Sequence, residues 1–102
     1  MEFDYPHALD REDARSRLDR LGQYLQNRHG INVRWNGDRG HFHGKYLMIH
    51  FDGELILGDG LVHVSGKDPG FLLRKRASDY LKGKLASYLD PSVPADQLSI
   101  GK

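Results

Sequence analysis

The sequence predicts an α+β domain of order (β)-α-β-β-β-β-α, an antiparallel sheet of four or five strands with two helices packed on one face. Three observations carry this expectation. Residues 14–25 and 73–89 repeat apolar side chains at helical spacing, the stretch between them alternates with a period of two, and turn residues punctuate that stretch. Two amphipathic helices bracketing short, turn-linked strands suit a layered domain with one core.

Residues 2–7 alternate Phe3 and Tyr5 and meet Pro6, which suits an edge strand. Asp10 offers a helix N-cap, with Glu12 and Asp13 in the first turn where the helix dipole favours carboxylates. Ala14, Leu18, Leu21 and Leu25 form one stripe and Gly30 supplies a stop, so the first helix takes residues 10–29. Ile31, Val33 and Trp35 then alternate with polar residues as a half-buried strand, and Asn36-Gly37-Asp38 turns the chain. A longer strand is expected from about His41 to Phe51. Asp52-Gly53 has the chemistry of a two-residue type I′ hairpin turn, from which residues 54–58 return. Gly58-Asp59-Gly60 turns again, and Leu61 to Ser65 form the last strand. Asp68 as N-cap and Pro69 at the first helical position start the second helix. Its apolar face is Leu73, Ala77, Tyr80, Leu81, Leu85, Tyr88 and Leu89, and Asp90-Pro91 ends it. The domain is expected to occupy residues 1–90, with residues 91–102 a polar C-terminal tail of little fixed structure.

A chain of 102 residues has room for one domain. It contains no cysteine, which removes disulfides, thiolate metal sites and cysteine nucleophiles from consideration. The first residues lack the basic and apolar regions of a signal peptide. The densest apolar stretch, Tyr46 to Leu57, is broken by His50, Asp52, Gly53 and Glu54. A cytoplasmic location is the expectation. The formal net charge is +1, but residues 70–90 carry five basic and two acidic side chains. That local excess is mild, so nucleic acid is not an expected partner.

No group of side chains forms a recognisable catalytic set. The carboxylates Asp10, Glu12, Asp13, Asp52, Asp59 and Asp68 stand at helix starts and turns, where capping already employs them. The serines lie in no G-x-S-x-G elbow, and Gly44-Lys45 and Gly66-Lys67 lack the glycine spacing of a phosphate loop. His41 and His43 share one side of a strand, with His50 and His63 on neighbouring strands, but strand pairing brings in no obvious third ligand. The expectation is therefore a non-enzymatic protein without metal or cofactor.

A hairpin at Asp52-Gly53 would leave both sheet faces apolar. Tyr46, Met48, His50, Leu55 and Leu57 would share one face; Leu47, Ile49, Phe51 and Ile56 would share the other. The second set is the expected docking face, covered by a homodimer partner, by the tail or by a hydrophobic surface. The competing expectation is a small apolar-ligand site between helices and sheet, lined by Trp35, Tyr46 and Met48.

The sequence also resembles the polyhydroxyalkanoic acid system proteins, small bacterial proteins encoded near storage-polyester genes. The likeness lies in Pro6-His7-x-Leu9, Ala14-Arg15 with the Leu18/Leu21/Leu25 stripe, Trp35-x-Gly37-Asp38 and Phe42. It continues through Gly53-x-Leu55-x-Leu57-Gly58-Asp59, Val62-x-Val64, Gly70-x-Leu72-Leu73 and the Tyr80/Leu81/Leu85/Leu89-Asp90 helix. The resemblance implies that Leu55, Leu57, Val62 and Val64 face the helices while Ile56 and His63 face outward. It further implies association with polyhydroxyalkanoate granules or their machinery, and it brings no catalytic residues. The stretch His41 to Phe51 departs from it by being more apolar and richer in histidine.

Overall fold

The computed structural model describes residues 1–102 and has the predicted order, with all five strands in one antiparallel sheet. The strands are β1 (Glu2–Pro6), β2 (Asn32–Asn36), β3 (Arg39–Tyr46), β4 (Ile49–Gly58) and β5 (Leu61–Gly66); the helices are α1 (Arg11–His29) and α2 (Phe71–Tyr88). The sheet order is β1-β5-β4-β3-β2, so four strands follow as hairpins and β1 closes the far edge against β5. No helix is long and apolar enough to cross a membrane.

Helix α1 forms as its sequence dictates. The Asp10 carboxylate accepts from the Asp13 amide at 2.8 Å, and Gly30 stops the helix in the left-handed region at φ 70°. The stripe Ala14, Leu18, Leu21 and Leu25 is fully buried. Arg17 is buried beside it, which the stripe alone does not foretell. Its guanidinium donates to the Asp13 carboxylate and to the carbonyls of Tyr88 and Asp90 at the end of α2. A cation there completes carbonyls the helix leaves open and opposes the negative end of its dipole.

The central hairpin lies elsewhere than predicted. The chain reverses at Leu47-Met48, where Tyr46 pairs with Ile49, and β4 runs uninterrupted through Asp52-Gly53. Both turn residues have positive φ, 51° and 68°, the signs that a type I′ turn demands. Asp52-Gly53 carries the stronger turn signal, but Gly53 has a different duty. It sits on the inner side of β4, where a Cβ would lie 2.3 Å from the Ser65 carbonyl oxygen and 2.9 Å from the Phe42 ring. The buried Phe42 ring fills the space that a side chain at 53 would need.

Moving the turn re-phases the strand. Ile49, Phe51, Leu55 and Leu57 all point inward and are buried under the helices, with Phe42, Val62 and Val64 beside them. His50, Asp52, Glu54 and Ile56 point outward, so the sheet alternates apolar-in and polar-out after all. As the resemblance implies, Leu55, Leu57, Val62 and Val64 face the helices, with Ile56 and His63 on the other side.

Two further boundaries differ. Helix α2 begins at Phe71, capped by Gly70 at φ 105°, because Asp68 folds back locally, accepting from the Gly70 amide and pairing with Arg74. Residues 91–102 are also ordered against the domain. A 3₁₀ turn at Ala95–Gln97 delivers Leu98 to the core, Arg20 donates to the Leu98 carbonyl, Asn27 to that of Ile100 and the Tyr88 hydroxyl to that of Ser99. Polar composition hid a segment held by its backbone carbonyls.

Two glycines test this packing in opposite directions. Gly53→Ala forces backbone and a core ring apart and should destabilise by 1–3 kcal/mol or more, on the order expected for overpacking. Gly83→Ala, exposed within α2 with open space around its Cβ, should stabilise by about 0.5–1 kcal/mol. Chemical denaturation of both variants checks the pair; a tolerated Gly53→Ala would return residue 53 to a turn.

Candidate functional site

Large apolar side chains collect at one pole of the molecule. Leu47 and Met48 on the β3–β4 turn are 58% and 74% exposed, and Phe71 and Leu72 in the first turn of α2 are each 78% exposed. Met48 and Phe71 line one open groove of about 510 Å³ together with Pro69, Leu72 and Leu73. Leu47 borders a second groove, floored by Tyr46, Ile49, Phe51 and Tyr80 and flanked by Arg76 and Asp79. The turn and the helix start thus present one apolar tip.

Neither segment is what folding alone would select. A type I′ turn takes Asn, Asp or Gly at its two central positions, because a Cβ is strained at positive φ. The first turn of a helix favours Pro and acidic residues; α2 has no acidic residue there. Arg74, Lys75 and Arg76 follow instead.

The strained turn is held by what lies beneath it. The His29 ring stacks on Tyr46 with centroids 3.7 Å apart, and Tyr46 meets Tyr80 at 5.5 Å, which in turn meets Phe51 at 5.8 Å. Tyr24 meets the His29 ring edge-on at 5.6 Å, and the Lys84 ammonium lies 4.2 Å from the Tyr24 ring centre and 5.8 Å from that of Tyr80. Burial raises the Tyr80 phenol, whose oxygen has no hydrogen-bond partner.

Of the four predicted docking residues, only Leu47 stands at this tip. Ile49 and Phe51 are core, and Ile56 is half-buried on the outer sheet face, so the four do not form one surface. The suggested ligand lining is likewise dispersed. Tyr46 floors the groove beside Leu47, Met48 lines its neighbour, and Trp35 lies in a polar groove between α1 and β2 with Asp19, Gln23 and Asn27. Met48 belongs to the tip by position rather than by the ligand argument. Phe71 and Leu72 were the residues missed. Their signal was available, since both fall off the Leu73/Ala77/Tyr80/Leu81 stripe and so must point away from the core.

The histidines do not converge. His41 lies 3.0 Å from Asp52, and His63 2.5 Å from Asp4 and 3.4 Å from Glu2, on different parts of the outer sheet face, and no three such side chains are arranged to hold a metal ion.

At the opposite end of the sheet, the carboxylates of Asp38 and Asp59 meet the Arg11 guanidinium at 2.5 and 2.8 Å, and Arg11 also donates to the Leu57 carbonyl. Both aspartates hold the Arg11 guanidinium above its ordinary range. The Trp35-x-Gly37-Asp38 and Gly58-Asp59 segments are thereby joined through the start of α1. Comparison with protein families matches residues 1–93 to the polyhydroxyalkanoic acid system proteins. The chain belongs to this family. Comparison with curated proteins and with solved structures returns no match. In this member of the family the two Gly-Asp segments act as a structural clamp, far from the apolar tip. The ordered residues beyond 93 lie outside the family match.

Two outcomes follow for the tip. Leu47→Asn with Met48→Gly replaces strained residues by ones that accept left-handed backbone and should stabilise the protein by about 1–2 kcal/mol. A rise in Tm of roughly 5–10 °C would register this; an unchanged Tm would mean that the two side chains contribute as much packing as strain.

The support beneath the turn should respond to acid. Burial first, then the charge of Lys84, holds the His29 imidazole below its ordinary value, overriding the helix C-terminus that favours a cation. Folding therefore prefers the neutral ring. Its contribution is intact above the unfolded-state value of about 6.5 and is lost as pH falls below that toward the folded value. Tm should decline as pH falls below about 6.5, and His29→Gln should flatten that slope; an equal slope in the variant would exclude His29 as its source.

Proposed function

We propose that the chain is a non-enzymatic, cytoplasmic accessory protein of the polyhydroxyalkanoate system that adsorbs through its apolar tip to a hydrophobic surface such as a polyester granule. The observation that carries this reading is the gathering of Leu47, Met48, Phe71 and Leu72 at one pole, each largely exposed. Scattered exposed apolar residues are ordinary, but four on two adjoining segments form a patch that calls for an occupant. Membership of the family supplies the context of that occupant.

Magnitudes favour reversible adsorption. Withdrawing one such side chain from water contributes about 1.5–3 kcal/mol, so four offer on the order of 6–12 kcal/mol. Association costs about 4 kcal/mol or more in lost freedom, which leaves a modest net attraction.

The decisive experiment measures partition onto particles of a polyhydroxyalkanoate. The wild-type protein should adsorb, and Leu47→Asn with Met48→Gly should weaken adsorption about 100-fold, as expected from removing roughly 3 kcal/mol of apolar contact. Because that variant is expected to fold more stably, its loss of binding cannot be attributed to unfolding. Phe71→Gln with Leu72→Gln should weaken adsorption similarly. Equal partition of wild type and both variants would overturn the reading. So would sedimentation revealing a stable homodimer that hides the tip.

A further inference from the structure

The apolar tip is rimmed by cations, and their pairing is uneven. Lys45, Lys67, Arg74, Lys75 and Arg76 stand around it with three carboxylates, Asp52, Asp68 and Asp79. Each carboxylate is already matched: Asp52 with Lys67 at 3.3 Å, Asp68 with Arg74, and Asp79 with Lys75 at 2.6 Å. Lys45 and Arg76 are left over, both exposed and without a carboxylate within ion-pair distance. They flank the turn on two sides. Lys45 precedes Leu47 by two residues and shares a groove with Lys67 and Pro69, and Arg76 borders the groove beneath Leu47. Asp79 lines the groove of Arg76, and Asp52 and Asp68 that of Lys45, but each of these carboxylates is held by another cation.

Resting on the adsorption proposed above, we infer that the surface this tip recognises is anionic as well as apolar, an interface bearing phospholipid-type headgroups rather than bare polyester. An uncharged surface would take the four apolar side chains but would leave Lys45 and Arg76 facing it without partners as they lose water. A surface carrying negative headgroups around apolar chains matches both parts. The apolar residues enter between the headgroups, and the two unpaired cations meet phosphate at the level of the rim. Long Lys and Arg side chains suit this, laying their methylenes on the apolar patch while the charge stays at the interface. Each basic side chain near an anionic surface strengthens adsorption about fivefold, so the two together should contribute about 25-fold.

Flotation of the full-length protein with three probes tests this: phosphatidylcholine vesicles, vesicles containing phosphatidylglycerol as well, and uncoated polyhydroxyalkanoate particles. The expected result is retention about 25-fold stronger on the phosphatidylglycerol vesicles than on phosphatidylcholine alone. High salt, and Lys45→Gln with Arg76→Gln, should each close that gap. Equal retention on all three surfaces, insensitive to salt and to the two substitutions, would overturn the anionic partner while leaving adsorption through the apolar tip standing. Retention on none of them would bring down the adsorption reading itself. Both substituted positions are exposed, and an unchanged Tm for the double variant keeps the comparison free of folding effects.

Discussion

The two-residue reversal at Leu47-Met48 is the constraint on which the rest of the structure depends. A hairpin fixes register, and a strand has a side-chain period of two, so the turn's position decides which residues enter the core. With the turn at 47–48, Ile49, Phe51, Leu55 and Leu57 continue one inward row along β4, and the two turn residues project beyond the sheet. A turn at Asp52-Gly53 would have broken that row and placed apolar side chains on both faces. The same small feature therefore completes the core and produces the exposed tip.

Much of the fold was legible because local chemistry and global pattern agree there. Asp10 and Gly30 bracket α1, the Ala14–Leu25 stripe meets the sheet, and Gly58-Asp59-Gly60 joins β4 to β5. The central hairpin was illegible because two signals conflict. Asp-Gly is a stronger turn dipeptide than Leu-Met, but Gly53 is glycine because the Phe42 ring and the Ser65 carbonyl leave no room for a side chain. A residue chosen for close packing looks, in sequence, like one chosen for conformational freedom. The site follows directly: the displaced turn puts Ile49 and Phe51 in the core instead of on a docking surface, and the exposed apolar side chains are Leu47, Met48, Phe71 and Leu72. The order of the C-terminal segment is hidden for a different reason. Its anchors are carbonyls accepting from Arg20, Asn27 and Tyr88, and main-chain acceptors leave no trace in composition.

The two Gly-Asp segments and the apolar tip lie at opposite ends of the sheet. Arg11 gathers Asp38 and Asp59, so two weak Gly-Asp motifs become one three-way contact that sets the start of α1 against two turns. All three side chains are substantially exposed, and exposed ion pairs contribute little individually. Their value is geometric, since they tie a helix to two hairpin ends with backbone bonds already in place, including that from the Leu57 amide to the Asp38 carbonyl. At the other end no comparable clamp appears. The tip is supported from below by aromatic stacking of His29, Tyr46, Tyr80 and Phe51.

That contrast bears on why the tip has the composition it does. Sequences that fold well are consistent across levels, and departures gather where function competes with stability. Here two departures occur at one place. Leu and Met occupy backbone that suits Asn and Gly, and Phe and Leu occupy a helical first turn that suits Pro and carboxylates. Either alone could be a local compromise. Their meeting in one patch, with two unpaired cations on its rim and polar residues over the outer sheet face, is hard to obtain from folding requirements alone. The aromatic support then acquires a purpose, because strained backbone persists only where its surroundings over-determine it, and stacking at Tyr46 fixes the residue immediately before the turn. A packed base and an apolar crown are what adsorption needs: the backbone that presents Leu47 and Met48 is set by the stacking beneath it, so less of its freedom is left to lose on contact.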